Sequence, residues 1–176
     1  MNNILIAYYS RIGSNYVSGK ITNLSVGNTA VIAKKIQALT GGILFEIKTI
    51  KPYPLDYNET TEVSKAELRS NTRPELLEYL PNINEYEVIY LGYPNWWGTM
   101  PMAVFTFLES YNFRGKTIIP FCTHEGSGLG KSENDIKRLC PESAVLRGIA
   151  IRGSSVAGSD QAIKEWLKSQ KINLED

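Results

Sequence analysis

Five stretches of the chain are apolar almost without interruption: residues 3–9, 43–47, 88–93, 117–122 and 144–151, all rich in Ile, Val, Leu and Tyr. A strand with one wet face alternates apolar and polar residues, so continuous runs predict strands covered on both faces. Between them the apolar spacing lengthens to that of helices. Residues 29–39 carry Ile32, Ala33, Ile36 and Leu39 on one stripe; 102–108 and 132–139 read as shorter helices, and 159–167 as a last one. The alternation predicts a parallel sheet with helices on both faces, an α/β, five-stranded, doubly wound domain. The long link 51–87 is cut by Pro52, Pro54, Pro74 and Pro81. It is expected to hold a polar surface helix at 59–70 and a short second helix at 74–80.

Length and composition narrow the class. A chain of 176 residues fits one domain, 1–176, and folding at that size buries about 70% of the unfolded surface, enough for a core without disulfide or metal. With 43% hydrophobic residues, 21% charged and a net charge of +1, neither disorder nor a basic nucleic-acid surface is expected. No apolar run approaches a membrane span and no basic leader precedes the first strand, so the expectation is a soluble, cytoplasmic protein. Cys122 falls at a strand end and Cys140 near the far end of the next helix, about 15 Å away at the helical rise, which predicts two reduced thiols. With one histidine in the chain, a His/Cys metal site has almost no ligands, and none is expected.

Ligands of doubly wound sheets bind beyond the carboxyl ends of the strands, where the strand order reverses. Three loops are nominated: 10–28, 94–101 and 123–130. The second reads YPNWWGTMP, and Trp96 and Trp97 cannot both point inward from so short a turn. One aromatic face near the sheet edge would suit a planar ligand; alternatively both rings cap the core or an interface. The third loop reads THEGSGLGKS. Its glycines Gly126, Gly128 and Gly130 let backbone approach a ligand, while Thr123, His124 and Ser127 add hydrogen-bonding groups and Lys131 opens the next helix. The glycines are too close together for a Walker loop, and a dinucleotide fingerprint would follow the first strand. His124 is either a polar loop residue or a group that binds a ligand or delivers a proton.

In the first loop the apolar stripe places the helix start at about Asn28. Asn and Thr suit an amino-terminal cap, and a helix start beside a strand end is an anion site through its free N–H groups and dipole. Ser10 stands ready with a hydroxyl from the strand side. Arg11 either adds charge or is a solvated surface residue.

Together these residues resemble the flavodoxin-like family that binds flavin mononucleotide (FMN), and most closely its branch with a Trp-Trp loop and a T-H-x-G-S-G loop. Ser10, Arg11, Ile12 and Gly13 look like the first half of that family's phosphate loop, [ST]-x-T-G-x-[ST], and Asn28 and Thr29 like its end. The insert between them is 14–27, or 13–26 if Gly27 is the family glycine. Ile12 replaces a family hydroxyl, which removes one phosphate hydrogen bond and leaves the backbone N–H groups. The resemblance implies a strand order of 2-1-3-4-5. It also implies phosphate binding by Ser10, Asn28 and Thr29, and an isoalloxazine ring flanked by Pro94, Asn95, Trp96, Trp97 and Gly98 on one loop and Thr123, His124, Glu125, Gly126, Ser127 and Gly128 on the other.

Two functions follow from such a cofactor. One is an electron-transfer flavodoxin serving a redox partner protein; the other is an NAD(P)H-dependent oxidoreductase that takes electrons from NADH or NADPH and reduces a small quinone-like acceptor. Family carriers are typically strongly acidic, and a balance of 19 basic and 18 acidic residues lacks that steering field. The insert supplies a third loop at the ligand edge, a lid or substrate wall, which favours an enzyme, yet no nicotinamide-binding element is evident. A flavin-free phosphate or nucleotide module is the third reading, and both monomer and homodimer are compatible with the sequence. Within the insert, Ser18-Gly19 is a turn signal between short β-like runs, so a small hairpin beside the flavin edge is expected.

Overall fold

A computed structural model describes residues 3–170 and Ile172. Its main sheet is parallel throughout. β1 (Ile4–Tyr8) lies between β4 (Ile43–Glu46) and β5 (Val88–Pro94), and β6 (Thr117–His124) follows β5. The far edge is one strand in two pieces, β7 (Ala144–Val145) and β8 (Ile149–Arg152), both paired to β6. Counted by the five expected strands this is the order 2-1-3-4-5, the α/β flavodoxin-like arrangement.

The continuous apolar runs are explained by cover on both faces. Ile4, Ile6 and Tyr8 of β1 pack with Ile32, Ala33 and Ile36 of α1 (Asn28–Thr40) and Ile163 and Trp166 of α5 (Asp160–Ser169). Leu5 and Ala7 point the other way, into a core with Val104 and Phe107 of α3 (Met102–Glu109) and Ile136 of α4 (Ser132–Leu139). Successive side chains of a strand face opposite sides, so one sequence run feeds two cores.

Two expectations need correction. Residues 74–80 are not a helix. Ile50 N–H donates to Glu75 O at 2.9 Å and Leu77 N–H to Lys48 O at 2.8 Å, which lays the segment along the extension of β4 with Leu76 buried in the core. Pairing to residues 48–50 satisfies the backbone that a helix would have satisfied within itself. The strand at 144–151 is also broken. Ile118 pairs with Val145 but Phe121 with Ile149, so the edge strand holds one residue more than β6 between these points. Leu146 N–H donates to Ile118 O at 3.0 Å, and the next bond of the ladder would come from the N–H that Pro120 lacks.

The polar helix exists as α2 (Tyr57–Ser70), beginning two residues before the expected start, with Asp56 Oδ1 accepting from Glu59 N–H at 2.9 Å. The insert between β1 and α1 is an antiparallel hairpin, β2 (Gly13–Val17) and β3 (Lys20–Leu24). Ser18 and Gly19 form its turn at φ 52° and 82°, the left-handed pair that matches the twist of a two-residue hairpin. Both cysteines are buried free thiols; burial pushes Cys122 up to about 12 and Cys140 up to about 11.

Candidate functional site

At the carboxyl edge of β1, β5 and β6 lies a cleft of about 250 Å³. One end is the start of α1. Gly27, its cap, lies so close to the end of β1 that a Cβ there would come 2.1 Å from Ser10 Oγ and 2.6 Å from Arg11 O. Only glycine lets the two halves of the interrupted loop meet. Ser10 Oγ then accepts from Ala30 N–H at 3.0 Å, capping the helix from across the gap. Among the described residues the N–H groups of Asn28 and Thr29 have no partner, and both residues line the cleft. Thr29 is buried, and its hydroxyl pairs with that of Thr123 at 2.8 Å. Free N–H groups and the positive end of a 13-residue helix make this end of the cleft suited to an anion.

The second loop divides its two tryptophans. Trp96 is partly buried edge-on against Tyr9 and Tyr53, with ring centroids 5.3 and 5.1 Å away. Trp97 is 48% exposed, held at φ 56° in a tight turn, with its Nε1–H donating to Ser64 Oγ at 3.0 Å and Lys65 Nζ 5.2 Å from its ring centroid. Both line the cleft with Pro94 and Asn95. The Asn95 amide works as a staple, donating to Gly128 O at 2.8 Å and accepting from Gly98 N–H at 3.0 Å. The second and third loops touch directly, since a Cβ on Gly130 would fall 2.2 Å from Gly98 O.

From the third loop Thr123, His124 and Glu125 line the cleft. Burial, and after it the charge of Arg152, holds the His124 imidazole below its ordinary pKa. Its Nδ1 accepts from Gly126 N–H at 2.9 Å, so the hydrogen-bond network assigns the proton of the neutral ring to Nε2. Glu125 Oε2 accepts from Ser18 N–H at 2.9 Å, joining the hairpin tip to this loop.

Other expected site residues play different parts. Arg11 lines the cleft but is not solvated, and only its Nε is without a partner among the described residues. It is buried, and its guanidinium donates to Ser14 O, to Pro54 O and Leu55 O at 2.9 Å, to Asp56 O at 3.1 Å and to Thr60 Oγ1 at 2.9 Å. That set clamps the hairpin root to the start of α2. Ser10 lies behind the helix start, Ile12 is 54% exposed on a separate groove, and Gly13 forms the hairpin root. Gly98, Gly126, Ser127 and Gly128 belong to the two loops but do not line the cleft.

The sequence reading missed one wall. Tyr57, Thr60, Thr61 and Ser64 of α2 face the cleft, and Asn15 and Tyr16 reach it from the hairpin. The signal was present in α2, where these four positions follow the i, i+3, i+4, i+7 spacing of one helical face. Among the described residues no group of three or more His, Cys, Asp or Glu is placed to hold a metal ion, and no helix is long and apolar enough to cross a membrane.

Comparison with known proteins agrees with this architecture. The family model described as flavodoxin matches residues 3–170. A protein of Bacteroides eggerthii provisionally described as a flavoprotein is 31% identical, with a TM-score of 0.78 over 97% of this chain and 99% of its own. A second such protein, from Bacteroides uniformis, is 31% identical with a TM-score of 0.72, covering 93% and 98%. A Lactobacillus acidophilus flavoprotein solved in complex with FMN shares the fold at 22% identity and a TM-score of 0.66, covering 92% and 99%. No curated protein matches. With its strand order, its three carboxyl-edge loops and a family match over nearly its whole length, the chain belongs to the flavodoxin family.

Proposed function

We propose that the cleft binds FMN without a covalent bond and that the protein is a redox flavoprotein. The observation that carries the reading is the rejoined loop. Gly27 brings the start of α1 against the end of β1, leaving the N–H groups of Asn28 and Thr29 without a partner among the described residues, in a cleft that the half-exposed Trp97 also lines. A phosphate suits the first and a planar ring the second. The residues present fit the group in another respect: among the described residues Arg11 Nε and Glu125 Oε1 are buried polar atoms without a partner, and both residues line the cleft.

When bound, FMN supplies the electron or hydride chemistry. The chain's part is to hold and tune it. Asn28 and Thr29 would take the phosphate, Trp96 and Trp97 the ring side, and the neutral His124 offers an Nε2–H donor without adding charge. The Glu125 carboxylate disfavours negative charge building up nearby, which would lower the potential for adding electrons.

A second reading is an NAD(P)H-dependent reductase of a quinone or flavin, in place of a carrier that serves a partner protein. The hairpin favours it, because Asn15 and Tyr16 add a further wall to the cleft, as a pocket for a small acceptor needs. The test is direct. Titrating the purified protein into FMN should quench the flavin's fluorescence, and absence of quenching refutes the cofactor. Anaerobic NADH or NADPH should bleach the holoprotein's visible absorbance within seconds for a reductase and leave it unchanged for a carrier.

A further inference from the structure

The hairpin β2–β3 is held differently at its two ends. Its root is fixed, with Ser14 N–H on Leu55 O at 3.1 Å and Ser14 O gripped by Arg11. Residues 20–23 of its outer strand are exposed, and the tip crosses to the third loop by the bond from Ser18 N–H to Glu125 Oε2. Between root and tip, Tyr16 lies against Tyr57 with ring centroids 6.1 Å apart. The cleft beneath measures about 250 Å³, less than the ~300–1,000 Å³ of most small-molecule sites. Asn15 and Tyr16 of the hairpin are part of the wall that a ligand of flavin size would meet.

Glu125 leaves its other oxygen unused. Oε1 is buried without a hydrogen-bond partner among the described residues. It packs on Gly153 beside the Asn28 side chain: a Cβ on Gly153 would lie 2.2 Å from Oε1 and 2.8 Å from Asn28 Nδ2. A buried carboxylate oxygen without a donor forfeits its solvation, which is why such atoms are rare.

We propose that Glu125 couples occupancy of the cleft to closure of the hairpin. Oε2 holds the tip through Ser18, and Oε1 is the acceptor for a hydroxyl or imide N–H of the ligand. The proposal rests on the flavin reading, since FMN carries both kinds of donor in its ribityl chain and its ring. A ligand bonded to Oε1 fixes the Glu125 rotamer that presents Oε2 to Ser18, so the conformational entropy of that side chain is lost once for two bonds.

The test compares wild type, Glu125→Gln and Glu125→Ala by amide exchange at Ser18, with and without FMN, and by affinity for FMN and riboflavin. In the wild type FMN should raise the protection of Ser18. Glutamine has one acceptor oxygen, so E125Q should keep the Ser18 bond in the free protein while losing affinity for FMN and riboflavin equally, by about tenfold, the value of one hydrogen bond to a charged group. E125A should lose both the protection and the affinity. Unchanged Ser18 protection when the wild type binds FMN overturns the coupling. So does tighter FMN binding by E125Q with riboflavin unaffected, which would mean that the carboxylate only repels the phosphate. A wild type that takes up no FMN overturns the coupling together with the cofactor reading, and is told apart because the loss of Ser18 protection in free E125A needs no ligand.

Discussion

Gly27→Ala is the sharpest test of how the interrupted loop closes. The backbone at Gly27 has φ −66° and ψ 149°, a conformation open to alanine, so the substitution strains no dihedral angle. Everything it changes is steric. The new methyl would sit 2.1 Å from Ser10 Oγ, 2.6 Å from Arg11 O and 2.8 Å from Arg11 N. Ser10 can rotate away, but only by giving up its bond to Ala30 N–H, and the two backbone atoms belong to the residue that clamps the hairpin root. Overpacking of this kind costs about 1–3 kcal/mol. The lost helix cap adds about 1 kcal/mol, and the stiffer unfolded chain returns about 0.4–1 kcal/mol.

The net expectation is a destabilisation of about 1–3.6 kcal/mol, which for a chain of this length lowers Tm by roughly 2–14 °C. Moving the helix start also withdraws the N–H groups of Asn28 and Thr29 from the anion end of the cleft. Affinity for FMN should therefore fall by about tenfold or more, the scale of one charge-assisted hydrogen bond, while affinity for riboflavin stays within about twofold. Denaturant unfolding measures the first effect and paired fluorescence titrations the second. A variant with wild-type stability and wild-type FMN affinity would show that the two halves of the loop are not in contact. Equal losses for FMN and riboflavin would show that the helix start does not hold the phosphate.

Other expectations follow from single contacts. Thr29→Val leaves the Thr123 hydroxyl without its partner and should cost about 1 kcal/mol, with FMN weakened more than riboflavin in the same pair of titrations. Arg11→Ala removes the charged donor shared by the carbonyls of Pro54, Leu55 and Asp56, which keep only their bonds from Thr60 and Ser14; a loss of about 1.5–3 kcal/mol and new proteolytic cleavage within 15–25 should follow, whereas cleavage unchanged from wild type would deny the clamp. The His124 pKa is lowered below its ordinary 6.5 on folding, so below 6.5 the unfolded chain takes up a proton that the folded chain refuses. Stability is thus lost as pH falls from 6.5 through the folded value, and the difference between wild type and His124→Asn, measured by urea unfolding from pH 7.5 to 5, should shift across that window; a flat difference refutes it. Cys122, with its thiol pushed up to about 12, should resist alkylation at pH 8 in the folded protein and react once urea unfolds it.

How far the sequence discloses this molecule depends on the range of each interaction. The doubly wound sheet is legible because a strand buried on both faces must be apolar at every position, as 4–8 and 88–93 are, and no distant residue changes that requirement. The misread segment 74–80 shows where local pattern fails: seven residues with apolar positions at Leu76, Leu77 and Leu80 suit one turn of helix as well as an extended edge, and residues 48–50, some 26 positions away, decide between them. The site follows the same rule. Its anion end could be anticipated from the helix start alone, but Arg11 is a clamp rather than a charge because three consecutive carbonyls, Pro54 to Asp56, converge on it from 43 to 45 residues away. The hairpin's turn is written in Ser18-Gly19, whereas its resting place is set by Glu125, 107 residues further on. What the hairpin does to a ligand is thus a property of a contact between two loops, neither of which announces the other, and a substitution at Glu125 should move the hairpin without altering any residue within it.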